Sequence, residues 1–186
     1  MTRLCLVRHG QTAWNLEGRY QGKSDVPLDE MGRLQALQVA ENLQTECFSG
    51  IYASDLERAK ETADIIGRCL HLPITLEPRL REIDQGEWEG QLVGAIKVHY
   101  ARLWQERFID PVNMRPPGGE TLGEVAIRVS AALDFMVRLH RDLPVLIVSH
   151  GLALATAICQ ARDIPLAQAY SRIPGNTEPV WIDWRG

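Results

Sequence analysis

Two stretches of the sequence share one design, an apolar run that ends in His-Gly. In LCLVRHG, Arg8 and His9 follow the apolar residues 4–7, and in PVLIVSHG, His150 follows the run 144–149. A histidine at the end of a buried strand can serve as a nucleophile, as an acid or base, or as a metal ligand. Because the two histidines are placed alike on distant parts of the chain, we predict that one site contains both.

Arginines accompany these histidines in the predicted layout. Arg8 directly precedes His9, and Arg58 falls in the first turn of a predicted helix, where the helix dipole adds positive potential. The planar fork of an arginine donates two parallel hydrogen bonds to phosphate oxygens. Taken singly, a histidine after a strand is more often structural, and an arginine on a helix is more often a surface residue. Their coincidence favours a pocket for a tetrahedral dianion.

A metal centre is the main rival interpretation of two histidines. Neither has an H-x-x-x-H partner or a neighbouring group of Asp, Glu or Cys ligands, and the adjacent arginines would repel a divalent cation. Ser149 precedes His150 but lacks the G-x-S-x-G elbow of serine hydrolases. The glycines of RHG and PPGGET do not have the spacing of nucleotide-binding loops. We therefore predict no metal and no cofactor.

Apolar runs alternate with amphipathic segments along most of the chain. Asp29 is placed to cap a helix on which Leu34, Leu37, Ala40 and Leu43 recur at helical spacing, and this spacing predicts that all four face inward. Strands are predicted at 4–7, 50–54, 73–78, 144–149 and, as a sheet edge, 176–184. Helices are predicted at 29–44, from the pattern at 54–57 up to residue 70, at 92–103, at 121–136 and at 152–161.

Two S/T-x-x-E patterns mark predicted helix starts. Ser54–Glu57 and Thr121–Glu124 both have the sequence of a capping box. The alternation of strands and helices predicts an α/β fold, a three-layer α/β/α sandwich with a mainly parallel sheet and one antiparallel edge strand. Ligands of such sheets bind outside the carboxyl ends of the strands. His9 and His150 follow two of these ends, so the fold permits them to meet.

Composition limits the classes of partner and the compartment. The chain has 186 residues and a formal net charge of −4, which argues against a nucleic-acid or anionic-membrane surface. No apolar run approaches the roughly 18 residues of a membrane span, and a strand pattern that begins by Arg3 leaves no room for a signal peptide. Cys5, Cys47, Cys69 and Cys159 form no C-x-x-C pair and are expected to be buried free thiols, which indicates a cytoplasmic protein.

Five blocks of sequence carry a family resemblance. They are, in chain order, LVRHGQTAWN, YASDLERAKETA, LREIDQGEWEG, PPGGET and VSHG. Together they resemble the histidine phosphatase superfamily, also called phosphoglycerate-mutase-like, over most of the chain. The length and the resemblance together imply one domain over 1–186, with a helical cap-like insertion at about 91–115.

The resemblance also implies roles for individual residues. His9 is similar to the nucleophile that becomes phosphohistidine, and Glu82 is similar to the carboxylate that acts as acid and base. Arg8, Arg58 and His150 are similar to the pocket that holds the phosphoryl group. A histidine nucleophile must be neutral, and nearby arginines lower the pKa of an imidazole. A hydrogen bond from one ring nitrogen to a backbone carbonyl would fix the tautomer and leave the other nitrogen free.

Other positions of the matching blocks are expected to contact the substrate. Asn15 matches the polar residue of the first motif that reaches the phosphate, and further contacts are expected from Gln21, Gly22 and Gly151. We expect specificity to come from the loop 21–25 and from the segment 91–114. Four aromatic residues could line the outer pocket, although tryptophan is more often a core residue: Trp14, Tyr20, Trp88 and Trp104.

Within the superfamily the first choice is between phosphatase and mutase. Cofactor-dependent mutases resemble RHGES and FTGW where this chain has RHGQT and YQGK, and LNERMYG where it has LREIDQG. Gln85 thus replaces the mutase tyrosine, and the segment 90–116 is too short for the longer mutase insertion. QGKSDVPL, GEWEG and PPGGET resemble the small phosphatase branch, which includes alpha-ribazole phosphatases, phosphoserine phosphatases and broad-specificity enzymes.

The expected activity is metal-independent hydrolysis of a small phosphorylated metabolite through a phosphohistidine. The candidate substrates are alpha-ribazole 5′-phosphate, phosphoserine and sugar or glycerate phosphates. A cofactor-dependent phosphoglycerate mutase stays as one alternative, and a catalytically inactive binding or signalling relative stays as another. We expect no nucleic-acid or membrane partner, and the choice between monomer and homodimer stays open.

Overall fold

A five-stranded mixed sheet forms the centre of the computed structural model, which describes residues 1–140 and 143–186. The strands are β1 (Thr2–Arg8), β2 (Gly50–Ala53), β3 (Ile74–Leu76), β4 (Val145–Ser149) and β5 (Pro179–Trp184). The helices are α1 (Ala13–Glu17), α2 (Glu30–Asn42), α3 (Glu57–Leu70), α4 (Val93–His99), α5 (Ala101–Ile109), α6 (Leu122–Leu139) and α7 (Gly151–Ala161). Short 3₁₀ turns lie at Pro78–Leu80, Gly86–Trp88 and Leu166–Arg172.

The strand order in the sheet is β3-β2-β4-β1-β5. β1 pairs in parallel with β4, β4 with β2, and β2 with β3, whereas β5 runs antiparallel to β1 at the edge. The predicted α/β sandwich with one antiparallel edge strand is confirmed. The order places β1 and β4 side by side in the middle, so the two His-Gly ends emerge next to each other.

Both faces of β1 are covered, which is why its sequence does not alternate between apolar and polar. Leu4 and Leu6 pack on one face with α6 and α7, and Cys5 and Val7 pack on the other face with α2 and α3. All four side chains are fully buried. Burial of a leucine side chain contributes about 1.5–3 kcal/mol, so these strands hold the site on a rigid base.

The helix after Asp29 begins as predicted but presents a different face to the core. The Asp29 side chain caps it by accepting a hydrogen bond from the Gly32 amide at 2.7 Å. Leu34 and Leu37 are 58% and 44% exposed, so the prediction that they face inward is wrong. The buried face carries smaller residues because α2 packs closely against the chain after β1: a Cβ added at Gly10 would lie 2.4 Å from the Gly32 carbonyl oxygen. The buried side of α2 consists of Ala36, Val39 and Ala40, followed by Leu43.

Two other local predictions are wrong in detail. The helix predicted over 92–103 is two helices, α4 and α5, because Tyr100 leaves helical geometry at φ −118° and ψ 37°. The capping box at Ser54–Glu57 does not form: α3 begins after Leu56 with no side-chain cap. The box at Thr121–Glu124 does form. None of the helices within residues 1–140 and 143–186 is long and apolar enough to cross a membrane.

Candidate active site

A pocket of about 400 Å³ opens at the carboxyl ends of β1 and β4. The structure brings the predicted site residues together there. Those that line the pocket are Arg8, His9, Asn15, Gln21, Gly22, Arg58, Glu82 and Gly151. His150 does not line it; the ring is fully buried behind the wall, with its centroid 5.2 Å from that of His9.

His9 is held in one tautomer by the backbone. Its amide donates to the Ser149 carbonyl at 2.9 Å, which ties the end of β1 to the end of β4. Its ring Nδ1 lies 2.7 Å from the Gly10 carbonyl oxygen. A carbonyl oxygen only accepts hydrogen bonds, so Nδ1 carries the proton and Nε2 keeps its lone pair. The predicted ring-to-carbonyl hydrogen bond is therefore present.

The electrostatic surroundings keep the His9 ring neutral. Burial, the Arg58 guanidinium and then the Arg8 guanidinium hold the pKa of His9 well below its usual 6.5. The Nε of Arg58 lies 3.3 Å from Nε2 of His9 and donates toward its lone pair. An uncharged imidazole beside two cations is the state that can attack an electrophile.

Arg58 enters the pocket from the first turn of α3, as predicted, and it is fully buried. Its Nη1 and Nη2 donate to the carbonyl oxygens of Ser24 and Gly22, both at 2.7 Å. Burial lowers the pKa of Arg58 to about 10, so the side chain stays protonated at neutral pH. With two of its nitrogens anchored by carbonyls, the guanidinium has little freedom to leave the pocket.

Glu89 holds the loop that anchors Arg58, and it was not found by sequence reasoning. Its carboxylate accepts hydrogen bonds from the Lys23 amide at 2.8 Å and the Ser24 hydroxyl at 2.6 Å. Gly22 has φ +53°, and a Cβ there would lie 2.1 Å from Oε1 of Glu89, so this position requires glycine. In the sequence, Glu89 is marked only by its place as the second glutamate of the GEWEG block.

Arg8 faces the pocket with a free donor. Its Nη1 donates to the Pro174 carbonyl at 3.0 Å, while its buried Nε has no hydrogen-bond partner among residues 1–140 and 143–186. Burial lowers the pKa of Arg8, and Glu82 acts in the opposite direction. A buried donor aimed into a pocket is suited to an oxygen of a bound anion.

His150 is held by a hydrogen bond to a neighbouring hydroxyl. Its Nε2 lies 2.8 Å from the Ser54 hydroxyl, and that oxygen accepts from the Leu56 amide at 3.3 Å. A hydroxyl can donate or accept, so this contact fits either tautomer of the neutral ring, and Nδ1 has no partner in the part of the chain that the structure describes. Burial and then Arg58 hold the pKa of His150 well below 6.5. Ser54 lies in a sequence pattern that predicted a helix cap. In the structure it positions the His150 ring instead, a role that the sequence did not show.

Glu82 sits at the N-terminus of α7. Its Oε1 accepts from the amides of Ile83 at 2.9 Å and Ala153 at 3.1 Å, and its Oε2 accepts from the amide of Leu152 at 3.1 Å. Each carboxylate oxygen has two lone pairs, so Oε2 retains one for a proton or a ligand. The positive end of the helix dipole adds to this anchoring.

Asn15 lines the pocket and also stabilises the start of α1. It closes a capping box at the start of α1, where its Oδ1 accepts from the Thr12 amide at 3.1 Å. Its oxygen is therefore committed to the cap, and its amide nitrogen is the end that can donate to a ligand. Gly151, the first residue of α7, is close to the site: a Cβ there would lie 3.5 Å from Oε2 of Glu82 and 3.7 Å from Nε of Arg8.

The outer wall combines the predicted aromatic residues with two that were missed. Trp14 and Tyr20 line the pocket, whereas Trp88 and Trp104 are buried in a hydrophobic cluster with Ile96 of α4. The pocket is also lined by Val93, Arg107, Tyr170 and Ile173. No sequence pattern pointed to Tyr170 or Ile173, because the segment that carries them reaches the site only through tertiary packing.

Arg107 is surrounded by aromatic rings at this wall. Its Nη1 donates to the Tyr20 hydroxyl, and its guanidinium carbon lies 4.0 Å from the Trp104 ring centroid and 4.8 Å from that of Tyr170. Within residues 1–140 and 143–186, no carboxylate lies within 4 Å of its guanidinium nitrogens. In the same ranges, no three His, Cys, Asp or Glu residues are placed to hold a metal ion.

Comparison with known proteins identifies the family of this site. The model of the histidine phosphatase superfamily (branch 1) matches residues 4–186. The chain is 38% identical over 166 residues to a probable phosphoglycerate mutase, GpmB, of Salmonella choleraesuis strain SC-B67, which covers 89% of this chain and 77% of that protein.

Solved structures of similar proteins share the fold. Bacillus stearothermophilus YhfR superposes with a TM-score of 0.91 at 35% identity, covering 100% of this chain and 93% of that one. An alpha-ribazole phosphatase of Shigella flexneri superposes with a TM-score of 0.89 at 27% identity, covering 99% of this chain and 91% of that one.

The mainly parallel sheet with a histidine and two arginines at its carboxyl edge, together with the family match, indicates an α/β enzyme of the phosphatase or mutase type. The chain belongs to the histidine phosphatase superfamily, which confirms the resemblance of the five sequence blocks.

Proposed function

We propose that this protein is a metal-independent phosphomonoesterase that forms a phosphohistidine on His9. The observation that carries the proposal is the unprotonated Nε2 of His9, whose lone pair accepts a hydrogen bond of only 3.3 Å from Nε of Arg58 and can turn to phosphorus when a phosphoryl oxygen takes that donor. The arginines stabilise the negative charge that spreads over the phosphoryl oxygens as the ester bond breaks. His150 stands behind His9, with the two ring centroids 5.2 Å apart, and its assignment to the phosphoryl pocket stays a prediction.

The reaction has two in-line transfers. In the first, the Nε2 lone pair of His9 bonds to phosphorus, the phosphorus–ester oxygen bond breaks, and Oε2 of Glu82 gives a proton to the leaving oxygen. In the second, Glu82 takes a proton from water as the water oxygen bonds to phosphorus and the N–P bond breaks. Inorganic phosphate leaves, with His9 neutral and Glu82 protonated again. Covalent catalysis of this kind replaces one difficult step by two easier ones.

The leaving group lies against the outer wall in this proposal, and the segment 91–115 acts as a cap over it. Tyr20, Tyr170 and Val93 offer apolar and aromatic contacts, and Arg107 offers a cation without a carboxylate partner in the described ranges. Phosphorylated carboxylic acids, such as phosphoserine or phosphoglycerates, suit this wall because they carry a second anion. Alpha-ribazole 5′-phosphate would use the aromatic surfaces instead.

Arg107→Met is expected to discriminate between these substrate classes. A hydrogen bond to a charged group contributes about 1.5–3 kcal/mol, so KM for phosphoserine or 3-phosphoglycerate should rise by about 10-fold or more. The KM for p-nitrophenyl phosphate, which has no second anion, should stay within about twofold. Steady-state kinetics on both substrates provide the measurement. Arg102→Met is the matched control, because Arg102 lies on the same helix and pairs with Glu106 at the surface, outside the pocket lining. An equal change in KM for both substrates would show that Arg107 stabilises the pocket wall and does not bind the second anion of the substrate.

The mutase reaction is the second candidate because relatives such as the Salmonella protein are named probable phosphoglycerate mutases. Against it, Gln85 is a buried residue of the pocket at the position of the mutase tyrosine. The segment between Gly90 and Pro116 is also too short for the longer mutase insertion. An inactive binding relative is disfavoured because the nucleophile, both arginines and the carboxylate are all present and assembled.

The reaction type is tested by supplying 3-phosphoglycerate with a catalytic amount of 2,3-bisphosphoglycerate in the presence of a strong chelator. We expect inorganic phosphate to be released, with undiminished turnover under chelation, and little 2-phosphoglycerate to accumulate. A screen of phosphorylated metabolites under the same conditions then ranks the substrates. Conversion to 2-phosphoglycerate with a kcat/KM above that of every phosphatase substrate would establish the mutase. Loss of activity on chelation, with recovery on adding a divalent ion, would establish a metallophosphatase.

A further inference from the structure

Arg128, on α6, binds the backbone of the segment that carries Glu82 from outside the pocket. Its Nη1 donates to the carbonyl oxygens of Arg79 at 2.8 Å and Arg81 at 2.6 Å, and its Nη2 donates to that of Glu82 at 2.9 Å. Arg79 belongs to the 3₁₀ turn at Pro78–Leu80, and Arg81 and Glu82 belong to the irregular segment that follows it into the site. One side chain therefore fixes the approach to Glu82.

Glu120 completes this arrangement from the PPGGET motif, to which the proposed mechanism assigns no role. Its Oε1 lies 3.1 Å from Nε of Arg128, and its Oε2 lies 3.0 Å from Nη2. The same Oε2 accepts from the Asp84 amide at 2.9 Å, and the Glu120 amide donates to the Asp84 carbonyl at 2.9 Å. Arg128 and Glu120 thus bind the backbone on both sides of Glu82.

The geometry requires arginine in particular. A guanidinium has five N–H donors, and here all five have acceptors: three backbone carbonyls and two carboxylate oxygens. A lysine has three donors on one nitrogen and cannot reach both sides of the loop. The side chains of Arg128 and Glu120 are only 18% and 20% exposed, so this ion pair is less screened than the surface pairs of this protein.

We infer that Arg128 and Glu120 form a positioning clamp that sets the distance of the Glu82 carboxylate from the reacting oxygen. Residues 81–85 have no helix or strand of their own to hold them in place. The N-terminus of α7 holds the Glu82 carboxylate, and the clamp holds the Glu82 backbone, so the two together leave one orientation for Oε2. This inference rests on the proposed role of Glu82 as the general acid.

The clamp is tested by single-turnover phosphorylation of Arg128→Met and Arg128→Lys with two substrates. An alkyl phosphate needs the proton from Glu82, and p-nitrophenyl phosphate leaves nearly unaided. Because a displacement of about 1 Å can cost 10²-fold, we expect rates on the alkyl phosphate to fall by about 10- to 100-fold. Rates on p-nitrophenyl phosphate should fall by less than about threefold. Arg138→Met is the matched control, since Arg138 is an exposed residue of α6 whose Nε donates within its own helix, to the Asp134 carbonyl; it should change neither rate.

A double-variant cycle separates positioning from general stability. If Arg128 acts through Glu82, then adding Arg128→Met to Glu82→Gln should cause little further loss on the alkyl phosphate. Multiplied losses, or equal losses of the Arg128 variants on both substrates, would overturn the clamp while leaving the acid role of Glu82 intact. If Glu82→Gln alone shows equal losses on both substrates, the acid role itself is wrong and the clamp falls with it. Thermal unfolding of each variant identifies any that do not fold, and Arg128→Lys, which keeps the charge and most of the volume, carries the test in that event.

Discussion

Replacement of His9 by alanine is expected to abolish covalent labelling and to reduce turnover by about 10⁴- to 10⁶-fold, the range observed when the nucleophile of a covalent mechanism is removed. His9 lines the pocket with its unprotonated Nε2 beside Arg58, whereas the neighbouring neutral ring of His150 does not line it, so no other group should take over the attack. Quenched reactions with ³²P-labelled substrate provide the measurement. The wild-type label should be acid-labile and base-stable, as a phosphoramidate is.

The control for this experiment is His99→Ala, because His99 is an exposed residue of α4 that does not line the pocket. Its label and its turnover should equal those of the wild type. Label that persists in His9→Ala, or label that is stable to acid, would show that the nucleophile has been assigned wrongly.

The protonation state of His9 can be checked without substrate. Since burial and the two arginines lower the pKa of His9, the neutral form persists at pH 6.5, where an unperturbed histidine is half protonated. The ¹⁵N shifts of its ring should remain those of the neutral Nδ1–H tautomer at that pH and should change only in more acidic solution. Half-protonation at or above pH 6.5 would contradict the electrostatic argument.

Glu82→Gln is expected to slow the first transfer from an alkyl phosphate by about 10²- to 10⁴-fold, the contribution usual for general acid catalysis. The alkoxide of an alkyl phosphate is strongly basic and needs a proton as it leaves, whereas p-nitrophenolate is weakly basic. The loss on p-nitrophenyl phosphate should therefore be much smaller. Single-turnover rates of phosphohistidine formation isolate this step from the later hydrolysis, in which we propose that the same carboxylate activates water.

Glu87→Gln is the matched control in this loop. Glu87 is exposed and its carboxylate accepts from the Tyr100 hydroxyl at 3.0 Å, away from the α7 terminus that holds Glu82. Its removal should leave both rates unchanged. Equal losses on the two substrates in Glu82→Gln would mean that Glu82 is not the acid.

Much of the site could be predicted from the sequence because its parts obey local rules. Strands buried on both faces have unbroken apolar sequences, so the carboxyl ends that carry His9 and His150 were visible without a structure. Arg58 was predictable from its place in the first turn of a helix. The order of strands and helices then restricted the fold to a parallel α/β sheet, whose ligand edge is general to the class.

Residues of the loops could be found only through the family resemblance or through the structure. Glu82 is one of 24 acidic residues, and nothing in its neighbours marks it until the N-terminus of α7 meets it across 70 positions of sequence. Glu89 and Ser54 act on other site residues rather than on the pocket itself. Their partners, the loop after Gly22 and the ring of His150, are brought to them by tertiary packing.

Packing also decided where the local rules failed. Leu34 and Leu37 follow helical spacing, but α2 approaches Gly10 so closely that only a face of small residues fits against the core. The Ser54 hydroxyl could either cap α3 or form a hydrogen bond with the buried imidazole of His150. The structure shows the second, because an unsatisfied polar group in the interior costs more free energy than an uncapped helix end. The sequence by itself therefore determined the elements and the chemistry at their ends, and the tertiary structure decided which loop residues reach that chemistry, since those contacts depend on the shape of the whole core.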